Sequence, residues 1–189
     1  MKKISAILLI LLFFTTFVFS QNEESIISAE QFSVKDKNGN SFYLTMPVKE
    51  VLDILGEPKV KTNLWGIYPQ ASCAYYQIEY DGIVFKYFDV DDFISTIWVN
   101  SSEYSISNLT VNSSLESINK TYEKLKSYKH EYNDRQLQKK HRLYHFNAFG
   151  TNLFYKDHSI IYYYEAAFDF PIDSDFCDFF YVQIPFDED

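Results

Sequence analysis

The spacing of apolar residues along this chain changes several times, and each change predicts an element. Residues 4–19 form an apolar run broken only by Ser5, Thr15 and Thr16, and polar Gln21-Asn22-Glu23-Glu24 follows directly. Residues 31–34 and 41–45 flank Asp36-Lys37-Asn38-Gly39-Asn40, whose Asn-Gly pair predicts a tight turn in a small leading hairpin. Val48, Val51, Leu52 and Leu55 then recur at i, i+3, i+4 and i+7, the stripe of an amphipathic helix. Pro47 suits the first turn, where a missing N–H loses no partner, while Gly56 suits the C-cap and Pro58 stops continuation. Residues 59–72, with Trp65, Gly66 and Pro69, read as a loop. Beyond them the pattern becomes strand-like over residues 74–80, 83–88 and 93–100, with Asp81-Gly82 and Asp89-Val90-Asp91-Asp92 as turns. Such short connections require an antiparallel meander.

The second half repeats this order. Asn112 or Ser113 can cap a helix through Tyr122 and on toward Tyr128, with Leu115, Ile118, Tyr122 and Leu125 on one face. Charged residues 126–142 contain a loop, and residues 143–149, 151–156 and 159–170 read as three strands. A break at 171–175 precedes a last strand over 176–185. Leu44 and Leu109, Gly82 and Gly150, and Ile94 and Ile160 correspond at a spacing of about 66 residues, which predicts an internal repeat. The expected fold is α+β: two tandem helix-plus-antiparallel-meander units sharing one sheet. The first covers residues 44–104 after an N-terminal segment at 21–43, and the second covers 105–189 with the C-terminal strand.

The run Met46-Pro47-Val48-Lys49-Glu50-Val51-Leu52-Asp53-Ile54-Leu55-Gly56-Glu57-Pro58, followed by an aromatic meander, resembles the SmpA/OmlA–BamE family. In tandem, it is similar to the beta-lactamase-inhibitor-protein architecture. The match is close over residues 44–100 and thin over 109–169, where Tyr122 stands in place of the helix-ending Leu-Gly and no proline follows. The resemblance implies a binding scaffold with no catalytic residues to carry over. No cysteine lies near the leader, so the lipoprotein role of BamE is not implied.

Lys2 and Lys3, the apolar run, and Val18 and Ser20 before Gln21 have the order of a cleaved signal peptide over residues 1–20. The run is shorter than the roughly 20 residues of a transmembrane helix, and no later segment is apolar for long enough. A secreted or periplasmic protein is expected. Its two cysteines, Cys73 and Cys177, could then form a disulfide or remain separate thiols. The net charge of −9 argues against nucleic acid as a partner, since that binding rests on neutralising phosphates.

Candidate chemistry is sparse. His141 and His145 have metal-ligand spacing for a helix, but their surroundings read as a strand, which separates them by about 13 Å. No third ligand is evident. Asp173, Asp175 and Asp178, or Asp89, Asp91 and Asp92, lack the glycine and glutamate of a calcium loop. Neither a Gly-x-Ser-x-Gly elbow nor a phosphate-cradling glycine loop is present, so no enzyme, metal or cofactor is expected. With 16 Tyr and 18 Phe, the sheet should leave some aromatic rings exposed. Trp65, Tyr75, Trp98, Tyr144, Tyr162 and Tyr164 are candidate anchors for a protein partner, residues of the kind that dominate binding hot spots. The alternative is a small ligand or carbohydrate, which also stacks on aromatic rings.

Overall fold

The computed structural model describes residues 32–64, 75–88, 92–134, 138–155 and 158–184, and within 148–163 the backbone alone. The leader, Trp65 and Cys73 lie outside these residues, as do Asp89 and Asp91 of the acidic turn.

The leading hairpin forms. β1 (Val34–Asp36) pairs antiparallel with β2 (Ser41–Phe42). Asp36 sets the turn: its carboxylate accepts from the main-chain N–H groups of Asn38 and Asn40, both at 2.8 Å, while Gly39 supplies a φ of 86°. Helix α1 (Val48–Leu55) follows with Pro47 as its N-cap, and Val48 and Val51 are buried. The Gly56 N–H donates to the Leu52 carbonyl from a φ of 76°, the left-handed geometry that favours glycine at a helix end. Four antiparallel strands come next: β3 (Val60–Asn63), β4 (Tyr75–Tyr80), β5 (Ile83–Phe88) and β6 (Phe93–Val99). Gly82 makes the β4–β5 turn at a φ of 75°, and a Cβ there would overlap the Ser101 side chain.

β7 (Tyr104–Ile106) leaves this run and pairs with β1, giving a three-stranded sheet of order β2-β1-β7. Helix α2 (Leu115–Thr121) is capped by Ser114, whose side chain accepts from the Ser117 N–H. β8 (Lys126–Asp134), β9 (Lys139–Tyr155), β10 (His158–Pro171) and β11 (Phe179–Gln183) complete an eight-stranded antiparallel sheet of order β3-β4-β5-β6-β11-β10-β9-β8.

This overturns the α+β expectation of two tandem helix-plus-meander units. The fold is mostly β, one large antiparallel sheet and one small one, with two short helices among the described residues. The corresponding glycines are the clearest break in the repeat. Gly82 sits in a hairpin turn, whereas Gly150 lies inside β9 opposite Tyr162, so two expected strands are one. α2 stops at Thr121 with buried Tyr122 as its C-cap, and residues expected as helix and charged loop become β8 and the start of β9. Residues 60–63, expected as loop, form the edge strand β3. The C-terminal strand enters the middle of the sheet between β6 and β10.

Among the described residues one core cluster lies on one face of the large sheet. It joins Phe85 and Ile97 to Phe168, Phe170, Phe180 and Val182, and Val51 of α1 and Ile118 of α2 pack into it with Val34 and Phe42 of the small sheet. Strand alternation explains this, since core residues along a strand sit two positions apart, except on β6, where a bulge sets Ile94 and Ile97 three apart.

Candidate binding face

The same alternation sends the intervening residues to the opposite, outer face. Register places Trp98, Thr96, Tyr181, Gln183, Glu165, Asp169, His145, His141, Tyr128 and Tyr132 there. The last four strands hold two acid–histidine–tyrosine groups at consecutive levels. In one, Asp169 Oδ2 lies 2.5 Å from His141 Nδ1, and Asp169 Oδ1 accepts from the Tyr132 hydroxyl at 2.9 Å. In the other, Glu165 Oε2 accepts from the Tyr128 hydroxyl at 2.9 Å and lies 3.2 Å from His145 Nδ1. That second histidine contact is an ion-pair distance without hydrogen-bond alignment. Glu165 Oε1 accepts from the Tyr181 hydroxyl at 3.2 Å and from Gln183 Nε2 at 2.9 Å.

Both acids and both histidines are buried, Asp169 completely. Burial of a charged carboxylate is unfavourable unless it is paired and hydrogen-bonded, which is what these contacts supply. The two acids resolve the competition differently. For Asp169, burial raises the carboxyl above its ordinary value, and His141 and Tyr132 only partly oppose it. For Glu165, burial acts in the same direction, but the contacts from His145, Tyr128 and Tyr181 outweigh it and hold the carboxyl low. Burial and the adjacent carboxylates push the phenols of Tyr132 and Tyr181 far up, so they remain protonated donors.

The tyrosine rings cover the imidazoles. Tyr128 lies parallel to His145 with centroids 4.2 Å apart, and Tyr132 is 5.6 Å from His141. Tyr128 itself is 49% exposed. The hydroxyl of each ring is tied to an acid, so the exposed aromatic surface is held in one orientation. Further along the same face, Trp98 packs on Phe179 at 5.1 Å.

The sequence-derived anchors divide between the two faces. Trp98 stands partly exposed on the outer face, and Tyr75 is on that face but buried against Phe88 at 4.7 Å. Tyr144 and Tyr164 point to the core face, where Tyr144 meets Phe170 edge-on and Tyr164 stacks on Phe32. The backbone of Tyr162 pairs with Gly150, and its side chain lies outside the described residues. Cys177 carries a buried free thiol that donates to the Phe179 carbonyl at 3.0 Å, and burial pushes its ionisation well up. No three potential ligands converge on a metal position among the described residues. His141 and His145 do share one face of a strand, as their alternation predicts, but each is engaged by its own acid. Sequence reading missed Tyr128, Tyr132, Glu165, Asp169, Tyr181 and Gln183. The available signal was a second pair at the same spacing, Glu165 and Asp169, in an aromatic strand.

On the helix side, a recess of about 260 Å³ is lined by Val48, Leu52, Lys61, Ile78 and Tyr87 among others. Its volume is at or below the lower end for small-molecule sites, and it is separate from the tyrosine-bearing face. Comparison with protein-family models, with curated proteins and with solved structures found no match to this chain.

Proposed function

We propose that this chain is a secreted or periplasmic, non-catalytic binding protein that meets a protein partner through the outer face of its large sheet. One observation carries the reading: three tyrosine hydroxyls on that face are tied to two buried carboxylates. Tyrosine offers a large amphipathic contact area, and fixing the ring in advance removes part of the ordering cost of association. The histidines and acids serve this arrangement from beneath the rings and are too deeply buried to meet a substrate directly. The N-terminal charged, apolar and small-residue order supports export.

Cross-linking the purified chain to an envelope and medium extract tests the proposal. The wild-type chain is expected to capture a discrete partner, and both Tyr128→Ala and Trp98→Ala are expected to reduce recovery about ten-fold or more, in the range of a binding hot spot. Circular dichroism and the melting temperature report whether each variant keeps its fold. Undiminished capture by both folded variants, or no partner at all, would sink the reading. A ligand-dependent rise in melting temperature with oligosaccharides, and no protein captured, would favour the small-ligand alternative.

A further inference from the structure

Among the described residues β8 (Lys126–Asp134) ends the large sheet, with β9 on one side of it. Sheets usually blunt such an edge with brevity, proline, a bulge or repelling charge. This strand is nine residues long, pairs with β9 without a register break and contains no proline. Most of its residues are exposed.

Its charges are self-complementary. Laid antiparallel against a second copy of itself about His130, the strand sets Lys129 opposite Glu131, Tyr128 opposite Tyr132 and Lys126 opposite Asp134. Two-fold symmetry makes each pair occur twice, so every lysine and every acid of the strand faces its opposite. The neighbouring registers destroy this. Moving the centre one residue back sets Lys129 against its own symmetry mate, and moving it one forward does the same to Glu131. Opposite charges directly across an antiparallel pair stabilise it and like charges destabilise it. Lys129 and Glu131 already contact each other at 2.5 Å within the strand, so the symmetric pairing would close an alternating ring of four charges.

The backbone allows the same register. The Ile172 N–H donates to the Lys140 carbonyl, which directs the main chain of Lys140 toward β10. Alternation then directs its partner on β8, Asn133, and with it Glu131, Lys129 and Ser127, away from β9 toward the open edge. These donors and acceptors would complete about eight main-chain hydrogen bonds with a symmetry mate.

We propose that two copies of this chain associate by antiparallel pairing of β8 with β8, centred on His130, joining their large sheets across a two-fold axis. The interface is isologous, and its closure limits the assembly to a dimer. It does not depend on the binding function proposed above.

Sedimentation analysis of the purified chain over a concentration series, with Lys129→Glu and Glu131→Lys variants, tests this. The wild-type chain is expected to pass from monomer to dimer as concentration rises. Each single substitution puts like charges face to face and is expected to raise the dissociation constant about ten-fold or more. Both side chains are partly exposed, so circular dichroism and melting temperature should change little. An equal mixture of the two variants is the decisive sample, because at each of these positions an acid then faces a lysine. That mixture is expected to dimerise where neither variant does alone. A wild-type chain that stays monomeric at every concentration would overturn the proposal. So would a dimer indifferent to both substitutions, or a mixture no better than its parts.

Discussion

Replacing Asp169 with alanine is expected to destabilise the protein by about 3–5 kcal/mol, because two buried hydrogen-bonding partners lose their acceptor at once. Asp169 is completely buried and serves His141 Nδ1 and the Tyr132 hydroxyl at once. Its ionised form is itself disfavoured by burial, yet its removal strands both partners, whose desolvation is no longer compensated. Asp169→Asn, which keeps the shape and one acceptor, should lose less. Chemical denaturation provides the check, and an alanine variant within about 1 kcal/mol of wild type would refute the buried pairing. The pH dependence adds a signature, because the two acids act with opposite sign. Glu165 is held below its ordinary 4.5, so its contribution is present above that value and lost as pH falls through the lowered folded value. Asp169 is raised above 3.8, so its contribution is present below that value and lost as pH rises through the raised one. Glu165→Gln should therefore remove part of the acid-side loss, and Asp169→Asn should remove the opposing trend.

This pairing also illustrates what a linear reading can reach. α1 was legible because Pro47, the apolar stripe and Gly56 all agree on one element; Pro47, expected in the first turn, is its N-cap, and the stripe and Gly56 are its face and stop. β4, β5 and β6 were legible from alternation and from the Asp81-Gly82 turn. β8 was hidden because it is an edge strand with solvent on both sides, so its side chains show no apolar alternation to read. β9 was cut in two because glycine suggests a turn, whereas here Gly150 is one rung of a long ladder to β10. The placement of β11 beside β6 joins residues far apart in sequence, and no local pattern carries that information. The same holds for the outer face. The sequence pointed to no further ligand for His141 and His145 because their acids lie on the next strand, far away along the chain and adjacent only through register.

The energetic counterpart of that long-range register is a shared core, and Phe168→Ala tests it most directly. Phe168 is fully buried, with ring centroids 5.7 Å from Tyr122, 6.0 Å from Phe146 and 5.6 Å from Phe180. Truncating such a ring is expected to cost about 3–5 kcal/mol, the lost transfer energy plus the cavity left behind. Phe180 pairs with Val99 across the β11–β6 seam, and the core runs through that seam without a polar break. Damage at Phe168 should therefore be felt at Trp98 on β6, in the first half of the chain. In a Trp65→Phe background Trp98 is the only tryptophan, and its fluorescence reports β6 and the seam where it packs on Phe179 of β11. Its transition is expected to move together with the loss of far-UV signal, as one two-state event, to lower denaturant. A Trp98 transition that stayed in place while the far-UV signal shifted would show that β3–β6 unfolds independently of β8–β11, and the continuous core would no longer account for the stability of the sheet.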